Sequence, residues 1–441
     1  MWFAGTSLLV GAATVATAAV VNDDLWLLAL CAGANAIVVA VGLLRSGADA
    51  PGVRIRAFDP FLAVALTTGT IVPLINILAG PPQLDFRQEA TTQDATKAAA
   101  VLLVFVISVV VGWHIFRQAS PRSKTPAWPT QTASGALVAM GLSGLGIRLL
   151  IGIRPGMMAD QTFTVQASGG VALLGTLLTP LLPVGAFFLI MHPRARRFNR
   201  LIGFAVLTPA SFYALATYSL NRAIFVVPML AMLVVLVRAG RIRRVGLTLG
   251  LAGCAAVIFF IAIGQVRLDA QTQNGSPATR DTGKFAAAAL QIYFQSPFLS
   301  GIAFSDAKNQ NYTPSSALAS LLAPMPSVGT DFRDATGGRI YNYAIYRGVS
   351  NDQILPAWAE VARSLGLPWL VLLGVGLGAT FRRFENRLLV ATSSYQAYLL
   401  VFATLWLAQA PIVSVSVLAQ IAYYFVAPLL VMTANANRKP V

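Results

Sequence analysis

The feature that most constrains this chain is a series of apolar runs, each near twenty residues long, separated by short basic patches. A helix needs about twenty apolar residues to cross a bilayer, and only helices and closed barrels can satisfy their backbone there. The runs place spans at 4–21, 25–44, 59–79, 99–117, 131–151, 167–191, 201–219, 223–237, 245–264, 366–381, 391–410 and 412–432. The expected fold is therefore an all-α polytopic membrane protein with about twelve transmembrane helices. Apolar residues make up 56% of the 441 and charged residues only 11%, against about 25% charged in a soluble domain. The N-terminus is apolar but lacks a basic start, so it reads as the first span and not as a cleaved leader.

Charge then sets orientation. Alternate loops carry Arg45, Arg54 and Arg56, then Arg117 to Lys124, Arg194 to Arg200, Arg238 to Arg244, Arg382 to Arg387, and Arg438 with Lys439. These hold 19 basic residues against three acidic ones, Asp49, Asp59 and Glu385, while the opposite side balances at 13 of each sign. The whole net charge of +16 thus lies on one side. The positive-inside rule makes that side cytoplasmic, with both termini on it. The surplus needs no nucleic-acid partner to explain it.

Three segments face the other side: 80–98, 152–166 and a long stretch from 265 to 365. The chain divides accordingly into 1–264 (nine spans), 265–365 (the large external loop) and 366–441 (three spans and a tail). The large loop holds eleven aromatic residues, too many for a floppy linker, so a partly ordered subdomain is expected. Stretches 281–294 and 352–365 have helical patterns. The second carries an apolar stripe through Ile354, Leu355, Trp358, Val361 and Leu365, which suits either the membrane surface or packing on the bundle.

No phosphate loop, dinucleotide fingerprint or zinc spacing is present. Cys31 and Cys254 lie within apolar runs and His114 and His192 at span ends, so neither a disulfide nor a metal site is expected. The candidates for chemistry are arginines and one glutamate. Arg222 follows Asn221 where two apolar runs meet; it reads as a turn residue or as an anion clamp, since guanidinium offers phosphate two parallel hydrogen bonds. Arg148 and Arg154 flank the outer end of the fifth span, as lipid-phosphate contacts or interfacial anchors. Glu360 and Arg363 stand i, i+3, so a surface ion pair competes with a catalytic carboxylate. Arg339 and Arg347 lie among Tyr341, Tyr343 and Tyr346 in GGRIYNYAIYRGVSND, and Trp358 follows. Rings that stack on sugars beside arginines that hold an anion suit a phosphorylated glycan; packing alone would also explain the rings. Glycines 141, 144 and 146, and 374, 376 and 378, are expected to allow close helix contacts.

Segment 348–384, GVSNDQILPAWAEVARSLGLPWLVLLGVGLGATFRRF, resembles the end of the large loop and the next span in Wzy-type oligosaccharide repeat-unit polymerases. Ser350, Pro356, Glu360, Gly366 and the GVGLG glycines occupy the corresponding places. Arg222 stands in the family's arginine position, and TPSSALASLLAPMPS (313–327) resembles its proline-bearing stretch. The resemblance implies a GT-C-like glycosyltransferase bundle in the bacterial inner membrane. Its substrate would be an undecaprenyl-pyrophosphate-linked oligosaccharide, with membrane lipids and a chain-length regulator as further partners and no cofactor. Arg222 and Glu360 would then be catalytic, Arg148, Arg154, Arg339 and Arg347 would bind pyrophosphate, and Tyr341, Tyr343, Tyr346 and Trp358 would bind glycan. An O-antigen ligase-like transferase shares this layout. A transporter or lipid-linked glycan flippase, and a scaffold for export, are the rivals outside glycosyl transfer.

Overall fold

A computed structural model describes residues 2–21, 25–49, 55–81, 90–116, 127–128, 131–152, 170–217, 222–240, 290–305, 311–325, 335–345 and 354–422. Among these the chain is almost entirely helical, and the single β feature is an isolated bridge between Ala127 and Ser393. Among the described residues, five helical segments are long and apolar enough to cross a membrane: Trp26–Ser46, Asp59–Ala79, Thr92–Ile115, Thr132–Leu150 and Gly170–Met191. Ala4–Thr17, Val226–Arg238 and Ser394–Leu407 are shorter apolar helices. The span expected at 245–264 and the end of the last one lie outside the described residues.

In chain order the helices are α1 (Trp2–Val21), α2 (Trp26–Asp49), α3 (Asp59–Leu66), α4 (Val72–Ala79), α5 (Thr92–Ile115), α6 (Gln131–Leu150), α7 (Gly170–Leu178) and α8 (Leu181–Met191). They continue as α9 (Arg197–Ile202), α10 (Thr208–Ala216) and α11 (Arg222–Arg238), then the loop helices α12 (Pro297–Gly301), α13 (Pro314–Leu322), α14 (Gly337–Ile345) and α15 (Ala357–Ser364). The last three are α16 (Leu367–Leu389), α17 (Ser394–Leu407) and α18 (Val415–Ile421).

Several boundaries differ from the apolar runs for local reasons. Helix α5 starts at Thr92, seven residues before the expected span, because Thr91 and Asp94 form a capping box that satisfies the first backbone donors. Helix α16 runs on to Leu389, past the apolar stretch and through the arginines. Between α3 and α4 the chain makes a π turn at Thr67–Ile71, one turn before Pro73. Asn35 of α2 locks that turn by donating to Ala65 O and Thr70 Oγ1, both at 3.0 Å.

Glycines set how closely the helices approach. Gly374 of α16 meets Ser108 and Phe105 of α5, and Gly378 meets Val109 and Trp113. A Cβ on either would overlap the facing helix. The register ascends on both helices, so α5 and α16 run parallel. Helices α6 and α8 are antiparallel, with Gly141 against Leu182, Gly144 against Thr179 and Gly185 against Val138. Gly146 and Gly376 meet nothing within 4 Å, so the close-contact expectation holds for four of the six glycines.

The packing separates two poles. At one, which we term the basic pole, residues 55–59 meet the C-termini of α11 and α16: Arg238 donates to Ile55 O at 2.8 Å and pairs with Glu385 at 3.0 Å. At the other, the loop pole, Gly301 packs on Asp94 and Ala95 at the start of α5, and Gln291 donates to Asn76 Oδ1 and Gly80 O. Each pole joins segments that charge alone had assigned to a common side.

Candidate functional site

The loop pole carries the described candidates. Helix α15 starts after Pro356, which has extended backbone (φ −60°, ψ 146°), and it packs on the bundle rather than lying free. Leu355, Trp358 and Val361 are buried. Trp358 stacks on Phe304 at 6.2 Å and donates Nε1 to Pro411 O at 3.0 Å. Ala357 N donates to Val413 O at 2.8 Å. These contacts tie the loop helix to the link between α17 and α18.

Glu360 sits at the centre, 0% exposed. Ser320 Oγ of α13 donates to Oε1, and Val415 N at the start of α18 donates to Oε2 at 3.2 Å. Gly337 N, which opens α14, donates to Ser320 Oγ at 3.1 Å. Close by, Ser316 and Ser364 bridge α13 and α15 at 2.9 Å. One carboxylate therefore joins four helices and lies at the N-terminal ends of two of them, where a negative charge is favoured. Burial nevertheless pushes its pKa up to about 7, against the Ser320, Val415 and Gly337 donors that favour the charged form. The surface ion pair between Glu360 and Arg363 does not form: the carboxylate points inward, and Arg363 extends over Phe304 and Tyr312.

The other candidates fall into two groups. Arg148 is 0% exposed. It donates to Thr176 Oγ1 of α7 at 2.9 Å, and to Thr217 Oγ1 at 3.1 Å and Thr217 O at 2.5 Å. Neither a snorkelling anchor nor an exposed clamp describes it. It fastens α6 to α7 and to the C-terminal cap of α10, five residues before Arg222. Tyr341 is also fully buried and donates to Leu299 O at 2.6 Å, so neither its ring nor that of Trp358 offers a face to a sugar. Arg339 is half-buried on α14. Arg222 opens α11 and Tyr343 lies in α14, but their side chains fall outside the described residues, as do Arg154, Tyr346 and Arg347 altogether.

Nothing local marks Ser320, one of three serines in PSSALASLL, as the partner of Glu360. Sequence reasoning also missed the pairing of Glu385 with Arg238, although a lone acid among so many arginines was a usable signal. Among the described residues no cluster of three or more His, Cys, Asp or Glu side chains could hold a metal. The chain matches no protein-family model, no curated protein and no solved structure.

Proposed function

We propose that this chain is a twelve-span glycosyltransferase of the bacterial inner membrane, with both termini cytoplasmic. It would join undecaprenyl-pyrophosphate-linked oligosaccharide repeats into a polysaccharide at the external face. The observation that carries this reading is the position of 354–364. The stretch that bears the polymerase resemblance is seated on the bundle through Trp358, Ala357 and Glu360, at the pole opposite the arginine-rich loops. A catalytic subdomain must be held so; a linker need not be.

In this reading the growing chain leaves its lipid carrier as the acceptor hydroxyl attacks the anomeric carbon. The new glycosidic bond forms as the bond to pyrophosphate breaks, and the electron pair leaves with undecaprenyl pyrophosphate. The acceptor proton passes to a base or to water. Arg222 stabilises the negative charge that gathers on the leaving group. Arg148 positions it by fixing the end of α10 just before it. Glu360, enclosed by Ser320 and Val415, is better suited to holding the subdomain than to touching the acceptor.

The test is polymerisation by the purified protein, supplied with lipid-linked repeat units extracted from cells lacking it. The wild type is expected to give a glycan ladder. Arg222→Ala is expected to lose it at unchanged folded yield, by a factor of about a hundred or more, the scale seen when an electrostatic donor is removed from an active site. A ladder surviving in that variant removes Arg222 from the site. A single transfer to a non-repeat acceptor, with no ladder, favours the ligase.

A further inference from the structure

Arg363 is held in a setting that its neighbours do not explain. Its guanidinium carbon lies 5.4 Å from the Tyr312 ring centre and 5.9 Å from that of Phe304, both within cation–π range. Phe304 is itself stacked on Trp358, so the platform is rigid. The Arg363 Nε and the Tyr312 hydroxyl are both shut away from solvent, and neither has a hydrogen-bond partner among the described residues. Glu360, one turn away, gives its oxygens to Ser320 and Val415 instead. Burial raises the Tyr312 pKa, so its hydroxyl keeps a proton to donate. Two clamped side chains thus present donors with no acceptor among the described residues, and a buried donor left unmet is costly.

The location indicates what supplies the acceptor. Arg363 stands four residues before Leu367, where α16 turns an apolar face outward through Leu367, Trp369 and Leu372, at 50%, 56% and 60% exposure. An exposed tryptophan in the first turn of an apolar helix marks the level of lipid head groups. We infer that Arg363, steadied by Phe304 and Tyr312, binds the phosphate of a lipid seated beside the start of α16. A guanidinium fork matches a tetrahedral oxyanion, which a lysine would meet only as a point charge. This site does not rest on the polymerase reading. A chain that binds lipid phosphate here and makes no ladder keeps this inference and loses that one.

The experiment is native mass spectrometry of the delipidated full-length protein in detergent. The probes are phosphatidylglycerol, undecaprenyl phosphate, diacylglycerol and inorganic phosphate. The wild type is expected to hold one tight phospholipid or prenyl phosphate, with diacylglycerol bound far more weakly. Arg363→Gln is expected to weaken the phosphate lipid about tenfold, the scale of a charge-assisted hydrogen bond. Arg363→Lys should fall between the two and Tyr312→Phe should lose a few-fold. Tyr312→Phe carries the test if Arg363→Gln does not fold. Preference for undecaprenyl phosphate over phosphatidylglycerol would assign the site to a prenyl carrier, and equal binding to the bulk leaflet; both support it. Equal lipid binding by wild type, Arg363→Gln and Tyr312→Phe overturns it. So does diacylglycerol binding as tightly as phosphatidylglycerol, or displacement of the lipid by inorganic phosphate.

Discussion

The two poles each bury a glutamate, and they stabilise it in opposite ways. At the basic pole Glu385 meets Arg238 at 3.0 Å and accepts from Ala57 N at 2.7 Å. Arg382 nearby lies 5.0 Å over the Trp113 ring, which stacks on Phe58 at 4.8 Å. At the loop pole no cation among the described residues lies against Glu360, which accepts from the Ser320 hydroxyl and the Val415 backbone N–H. The first arrangement is an ion pair that locks three chain segments. The second is a carboxyl whose proton is negotiable near neutrality. The same residue type thus gives an ion-paired clamp at one end and a pH-sensitive one at the other, and the pH-sensitive one holds the subdomain that we assign to catalysis.

The largest effect to look for is the sidedness of the poles, which is all-or-none. With Cys31 and Cys254 replaced by alanine, Ser315→Cys should react with a membrane-impermeant maleimide in intact cells. Arg383→Cys, exposed at the basic pole, should react only after the membrane is opened. The reverse pattern would remove the external reaction altogether.

Breaking the basic clamp comes next. Arg238→Ala leaves Glu385 buried beside one backbone donor, and should cost about 3 kcal/mol or more in a detergent unfolding titration. Replacing Arg238 and Glu385 together by leucine should recover much of that, because the cost lies in the stranded charge. If the double variant is no better than the single, the ion pair itself is what stabilises the pole.

The Glu360 clamp predicts a pH slope. Its folded pKa of about 7 lies above its ordinary value of 4.5, so the folded state binds the proton more tightly. The resulting stability is fully present below the unfolded pKa and is lost as pH rises through about 7. Across that window the wild type should lose up to about 3 kcal/mol, and Glu360→Gln should abolish the slope. An unchanged slope in Glu360→Gln assigns it to another group. Smallest of all, Trp358→Phe removes the bond to Pro411 O and should cost about 1–2 kcal/mol in the same titration.

The all-helical, membrane-spanning character was legible in the sequence because bilayer-length apolar runs are a strong, local signal. The apolar stripe of 352–365 was visible too, though its periodicity could not say whether membrane or bundle would cover it; Trp358 and Leu355 show the bundle does. The site was far less legible. The burial of Arg148 and Tyr341 depends on partners as distant in sequence as Thr217 and Leu299, and nothing local marks an arginine or tyrosine for the interior. Glu360 and Arg363 have ion-pair spacing on one helix, yet the Ser320 hydroxyl and the helix starts at Gly337 and Val415 draw the carboxylate inward and leave the guanidinium to the rings. Spacing along a helix sets which side chains are able to meet, and long-range packing decides whether they do.

The central claim is that this chain forms glycosidic bonds at the expense of a lipid pyrophosphate. The most direct measurement follows glycan length and free undecaprenyl pyrophosphate together in one reaction of the purified protein with lipid-linked repeats. A lengthening ladder is expected, with one undecaprenyl pyrophosphate released for each new linkage. Repeat units that stay on their carriers and change only sides, in a vesicle carrying the protein, would contradict it and make the chain a flippase.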